Sequence, residues 1–354
     1  MSNYVYGRND IFCVAAGSAF NAINNASGAA TIAAVNAAKH KSFAAVANRA
    51  RLAATDKEAT AFLGYIDRTR RGRYSGSATY GAPLYSSTGP GVEPAIGPIL
   101  AAAFGAKTIA AGVSVTYGPA GVKYMNEPSP LCCELWGFNP AGVRGSCTFG
   151  AIPNKLTLAA GQDSAELTVD FLAYYTLGQD RFANAETNEK GGLTAFPTPP
   201  TAPAYSGSEL TGFVLALTLD GVGYNPRSAS FSATFNRGYR MDLCAADGTE
   251  YYGYAPRELM PEFTLDAALW NTDDANLAAL LAKIDNRTPF NASLQIGSVA
   301  GGIYTLTLKN LIVPGDTRGW TDDDGDDRKA LNIKGLRAQA TSTSVRDEAQ
   351  LVLT

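Results

Sequence analysis

The chain has 354 residues, 46% of them hydrophobic and only 17% charged, with 36 glycines. That balance excludes a disordered chain and predicts a turn-rich β protein with one large core or two medium ones. A formal net charge of −3 argues against a surface that grips nucleic acid, which needs a one-sided surplus of Lys and Arg.

No stretch approaches the run of about 18 apolar residues that a membrane helix needs. The opening MSNYVYGRND has no basic n-region, so no secretory signal is expected and synthesis in the cytoplasm follows. The first 60 residues are rich in small side chains, as in ASGAATIAAVNAAKHKSFAAVAN. They read as an arm (1–60) packed against something else, because small residues bury little area. TDKE at 55–58, with Phe62 and Leu63 beyond it, has capping-box spacing and predicts a short helix.

RGRYSGSATYG is the first strand candidate, and EPAIGPILAAAFGAK the first helix. Ile96, Ile99, Leu100, Ala103 and Phe104 form one apolar stripe, Pro98 is tolerated only in a first turn, and Gly105 is a natural stop. PLCCELWGF, SCTFGAIPNKLTL and SAELTVDFL follow as strands. In the last, Ala165, Leu167, Val169 and Phe171 alternate with Glu166, Thr168 and Asp170, the period of a half-buried strand.

The Pro/Gly/Ser/Thr-rich stretch 191–208 reads as a linker between a first domain (61–190) and a second (209–354). The second opens with SASFSATFN (Ala229, Phe231, Ala233, Phe235) and EFTLDAAL (Phe263, Leu265, Ala267, Leu269). A helix follows, with Thr272 as N-cap, Asp273 and Asp274 in its first turn, a Leu277–Leu280–Leu281–Ile284 stripe, and Lys283 and Arg287 at the carboxyl end. FNASLQIG, IYTLTLKNL (Tyr304, Leu306, Leu308), ALNIKGLRA and EAQLVLT (Ala349, Leu351, Leu353) complete the chain. The order strand, helix, several strands thus occurs twice, and predicts two similar β domains, each sheet covered by one helix.

Little of the sequence suggests chemistry. The single histidine, His40, sits in the alanine-rich arm and supports neither a multi-His metal site nor a Ser-His-Asp triad. The five cysteines (Cys13, Cys132, Cys133, Cys147, Cys244) contain no CxxC pair and read as free, mostly buried thiols. Cys132 and Cys133, adjacent on a strand, would face opposite ways. WTDDDGDDRK at 320–329 fails as an EF-hand, since Trp320 and Leu331 fall at its first and last ligand positions. It leaves a loose cation site or, better, a solvated or partner-facing acidic loop. Asp322 and Asp324 lack apolar neighbours to raise a general acid's pKa, so glycosidase chemistry is not expected. DRTRRGR at 67–73 would place Arg68 and Arg70 on one face of a strand and Arg71 and Arg73 on the other, which suits solvent or a subunit contact. No enzyme, cofactor or metal is expected.

GVEPAIGPILAAAFG, RGSCTFGAIPNKLTLAAGQDSAELTVDFLAYY, ELMPEFTLDAALWNTDDANLAALLAK, GGIYTLTLKNLIV and ALNIKGLRAQA together resemble the tail tube, or major tail, proteins of long non-contractile phage tails. The likeness is nearest to the subset with two tandem tube domains and covers roughly residues 60–354; the alanine-rich arm departs from it. The resemblance implies a mainly β fold of two tandem sandwich or barrel domains, each with one covering helix, and long hairpins that join subunits. It implies a structural virion protein of the phage tail, assembled in the host cytoplasm. Rings, trimeric with pseudo-sixfold symmetry in preference to hexameric, would stack into a hollow tube that encloses the tape measure protein, meets tail terminator and distal tail proteins, and passes double-stranded DNA without specific binding or membrane insertion.

An acidic bore repels phosphate and would let DNA slide. Between stacked rings, Arg68, Arg70, Arg71 and Arg73 could then face Asp322, Asp323, Asp324, Asp326 and Asp327. The competing reading is a two-domain β-sandwich that binds a receptor or carbohydrate through Tyr251, Tyr252 and Tyr254.

Overall fold

The computed structural model describes residues 10–17, 37–53, 58–59, 65–66, 69–118, 131–139, 142–161, 164–178, 205, 207–210, 215–241, 251–256, 262–270, 275–315, 318–323, 326–342 and 345–354. Their elements run β1 (Ile11–Ala16), β2 (Ala37–Ala38), β3 (Ser42–Ala53), β4 (Glu58–Ala59), β5 (Tyr65–Ile66), β6 (Thr69–Pro83), α1 (Gly97–Phe104), β7 (Lys107–Ala110), β8 (Ser114–Tyr117) and β9 (Leu131–Asn139). Next come β10 (Gly142–Ala160), β11 (Ala165–Ala173), β12 (Tyr175–Gly178), β13 (Leu215–Leu219), β14 (Val222–Tyr224), β15 (Pro226–Thr234), β16 (Arg237–Met241) and β17 (Tyr251–Pro256). The last are β18 (Glu262–Trp270), α2 (Ala275–Asp285), β19 (Phe290–Ile296), β20 (Tyr304–Leu311), β21 (Arg318–Asp323), β22 (Asp326–Arg337) and β23 (Ala349–Leu353). The fold is mainly β, as the alternation predicts, with antiparallel pairing throughout these strands.

Two large sheets face each other across one core. The first runs β3-β6-β11-β10-β15-β18-β22-β21. The amino-terminal half of the long β10 also pairs with β9 and β12, and β9 with β1, beyond a bulge at Pro153/Lys155. A bulge bends a strand, so one strand serves two directions of pairing. The second sheet runs β14-β13-β19-β20-β23-β8-β7.

Between the sheets, Leu156, Leu158, Leu167 and Phe231 of the first meet Tyr304, Leu306 and Leu351 of the second, with Leu100 and Phe104 of α1 among them. The predicted inward sets Ala165/Leu167/Val169/Phe171, Ala229/Phe231/Ala233, Phe263/Leu265/Ala267/Leu269, Tyr304/Leu306/Leu308 and Ala349/Leu351/Leu353 are all buried. Each large apolar side chain placed there contributes about 1.5–3 kcal/mol.

Both helices form where the apolar stripes put them. α1 carries Pro98 in its first turn and ends on Gly105 at φ 84°, whose N–H donates to Ala101 O at 2.9 Å. α2 buries Leu277, Leu280 and Ile284, and it ends on Arg287 at φ 53°. Beyond that residue the Thr288 N–H returns to Lys283 O at 2.8 Å, a bond that satisfies a terminal carbonyl. Thr272, Asp273 and Asp274 lie outside the described residues.

The predicted repeat is visible in the first sheet, but it does not make two separate domains. Apart from β9, which the first unit inserts before β10, each unit runs strand, small hairpin, strand, helix, hairpin in the second sheet, strand, strand: β3, β4–β5, β6, α1, β7–β8, β10, β11, and then β15, β16–β17, β18, α2, β19–β20, β21, β22. In space each gives the same order, β3-β6-β11-β10 and β15-β18-β22-β21, and β10 pairs with β15 to join them. The second sheet does not repeat: β23 bridges β20 of one unit to β8 of the other.

The division at 191–208 therefore gives way to one sandwich whose core draws on both halves. The end of the expected linker is itself stitched in: the Ser86 N–H donates to Ser208 O at 2.9 Å, and Lys39 Nζ to Gly207 O at 2.8 Å. The arm at 1–60 is corrected too. Phe12, Cys13, Val14, Ala37 and Ala38 are core residues, and 42–53 form β3, antiparallel to β6. Low area per residue is no obstacle where the strand is held by a backbone ladder. The short helix predicted from TDKE falls mostly outside the described residues, and Glu58–Ala59 at its edge is strand.

Candidate assembly interface

β3 and β21 are the two terminal strands of the first sheet's long path, and each has one ladder partner among the described residues. An edge strand presents backbone donors and acceptors to another chain, and proteins that stay monomeric blunt such edges. Inside the chain the equivalent edges are already joined. At the β10–β15 junction, Leu158 pairs with Phe231, Leu156 with Ala233 and Ala160 with Ala229, all buried. The alternate pairs Thr157–Ser232 and Ala159–Ser230 point to the outer face.

The arginine and aspartate runs occupy the two ends of this sheet. Arg70 and Arg71 lie opposite Leu52 and Arg51 where β3 turns back into β6, with Arg73 further along β6. Asp322 lies opposite Lys329 and Asp323 opposite Asp326, beside Asp327, where β21 turns into β22. Arg68 and Asp324 are outside the described residues. Strand directions alternate along the path, so the β3–β6 turn and the β21–β22 turn lie at opposite ends of the strand axis as well as on opposite edges. One chain does not bring the two runs together.

The outer face of the first sheet is small and polar. Ser77, Thr79, Thr168, Lys155, Ala159, Asp170, Asp266 and Lys334 are exposed on it, and an open groove of about 480 Å³ runs over Ala159, Ser228, Ser230 and Asp266. Its carboxylates have partners: Thr79 Oγ1 donates to Asp170 at 3.0 Å, Lys41 Nζ to Glu166 at 2.9 Å, and the Gly335 N–H to Asp266 at 2.6 Å.

Of the groups singled out for chemistry, His40 is half-buried and three cysteines are buried. Burial lowers the pKa of His40, which Asp10 partly offsets, and its ring lies 5.9 Å from Phe12. Cys13, Cys133 and Cys147 are free and buried; burial, with Glu134 adding, pushes the Cys13 thiol up to about 12 and that of Cys133 higher still. Such thiols are poor nucleophiles. Among the described residues no group of three or more His, Cys, Asp or Glu could hold a metal. Tyr251, Tyr252 and Tyr254 lie on β17, which pairs with β16 in a ribbon apart from both main sheets.

Sequence reasoning missed the edges themselves. Ala44, Val46 and Thr321 carry no chemical signal, and the repeat of strand order that makes β3 equivalent to β15 emerges only from pairing. No protein-family model matches this chain, and no curated protein does either.

Proposed function

We propose that this chain is the structural subunit of a phage tail tube, polymerising as stacked rings that enclose the tape measure protein and later conduct double-stranded DNA. The observation that carries the reading is the doubled strand unit, already joined once within the chain, with a single ladder partner for each lateral strand among the described residues. A contact between different patches that repeats head to tail gives rings or filaments.

Two further features support it. The arginine and aspartate turns lie at opposite ends of the strand axis, as a contact between stacked rings requires; singly such exposed pairs are worth about 0–1 kcal/mol, but they recur around a ring. The outer face of the first sheet, with its hydroxyls, alanines and partnered carboxylates, suits a wall along which DNA slides. Three copies would supply six units to a ring. No catalytic role is assigned.

Negative-stain microscopy of the purified protein tests the reading. Rings or hollow tubes of constant diameter are expected; a monomer at all accessible concentrations, by mass photometry and microscopy, overturns it. Reversing the charge of Arg70 and Arg71 should shorten or abolish tubes, and making Asp322 and Asp323 basic in the same chain should restore them. Normal tubes from both single-site reversals would remove the charge pairing from the account.

A further inference from the structure

The two units can be aligned on their own cross-strand pairs. In the first, Tyr80 and Ala82 of β6 pair with Val169 and Leu167 of β11; in the second, Ala267 and Leu269 of β18 pair with Ile333 and Leu331 of β22. This alignment brings the last in-register pairs before the two turns, Ala160–Ala165 of β10–β11 and Asp322–Lys329 of β21–β22, into correspondence. Following the ladders outward, Leu158 of β10 pairs with Leu167 as Trp320 of β21 pairs with Leu331. On the other side, Phe43 and Ala45 of β3 pair with Tyr80 and Ala78, as Ala229 and Phe231 of β15 pair with Ala267 and Leu265. So β21 occupies the place of β10, and β3 the place of β15.

From this equivalence we infer that β21 of one chain pairs antiparallel with β3 of a second copy, reproducing the β10–β15 junction in the same register. This rests on the ring proposed above and names its lateral contact. Leu158–Phe231 becomes Trp320 opposite Ala45 of the next chain, Ala160–Ala229 becomes Asp322 opposite Phe43, and Ala159–Ser230 becomes Thr321 opposite Ala44.

Two observations favour a second copy over any other occupant. The chain has already solved this junction once, with the same strand directions. The ladder would satisfy the edge groups of both strands, which otherwise invite unspecific pairing. A sheet continued this way around a ring joins the outer faces of successive units into one wall.

The test is a cysteine pair on the outer face, Thr321→Cys with Ala44→Cys in one chain, oxidised after assembly and run without reductant. Directly opposed residues are about 4.5–5.5 Å apart at Cβ, close enough for a disulfide after small adjustment. The controls are each single variant and the pair Thr321→Cys with Asn48→Cys, which moves one thiol along β3 by about 13 Å.

The expected result is a reducible covalent ladder that stops at the number of chains in the ring, with roughly tenfold or more crosslinked chain than any control, as a held pair has millimolar effective concentration. Rings seen by microscopy without the ladder, or a ladder equally strong in the out-of-register pair, would overturn the β21–β3 junction while leaving the tube reading standing. A chain that stays monomeric and uncrosslinked would overturn both.

Discussion

α1 and α2 occupy the same place in the two units, yet they are buried differently. In α1, Gly97, Ile99, Leu100, Ala102, Ala103 and Phe104 are all buried, because the helix packs on β10, β1, β8 and β9. α2 buries only Leu277, Leu280 and Ile284 and leaves its other side to solvent. The units share a blueprint, and what is stacked on each decides how much its helix contributes. Strands β1 and β9, present only beside the first unit, make α1 part of the core.

The largest test of that difference is truncation. Phe104→Ala, at a side chain 2% exposed, should cost about 3–5 kcal/mol of stability. Leu281→Ala, at a half-buried position of α2, should cost clearly less than the Phe104 change in the same denaturation experiment. Equal losses would mean that α2 is packed as deeply as α1.

A smaller effect separates the helix ends. Gly105→Ala places a side chain at φ 84° and should destabilise by about 1–2 kcal/mol. Arg287→Gly relieves the same backbone conformation at φ 53° and should stabilise by at most about 1 kcal/mol. Thermal melts of the pair should move in opposite directions.

The smallest expected effect is the contribution of Asp347, on the second unit's side of the sandwich, to the acid limb of stability. Partial burial alone would raise the Asp347 carboxyl, but the Thr341 N–H and hydroxyl and Lys309 outweigh it and hold the group below the ordinary carboxylate value. A depressed folded pKa stabilises above the unfolded value and loses that contribution as pH falls through the folded one. Denaturation midpoints should therefore fall below about pH 4, and Asp347→Asn should flatten that acid limb slightly without changing stability trends near neutrality.

The sandwich strands were legible because alternation of apolar and polar residues survives any packing that buries one face, as in Ala165–Phe171 and Phe263–Leu269. The helices were legible because a stripe, a proline in the first turn of α1 and a glycine stop act locally. The alanine-rich 42–53 was misread: its side chains carry no alternation strong enough to show, and its place is fixed by the β6 ladder. The Arg and Asp runs could be found by charge, but their placement at opposite ends of the sheet follows from strand direction, which no local pattern records.

By itself the sequence determined the two helices, the inward faces of the alternating strands and the twice-repeated order of strand, helix and strands, since these rest on side-chain periodicity and local backbone preference. Only tertiary structure decided that the two units share one core, that β10 and β15 join them, and that β3 and β21 each keep a single ladder partner among the described residues. Pairing between strands is a long-range choice made by backbone hydrogen bonds, which every residue but proline offers in the same way.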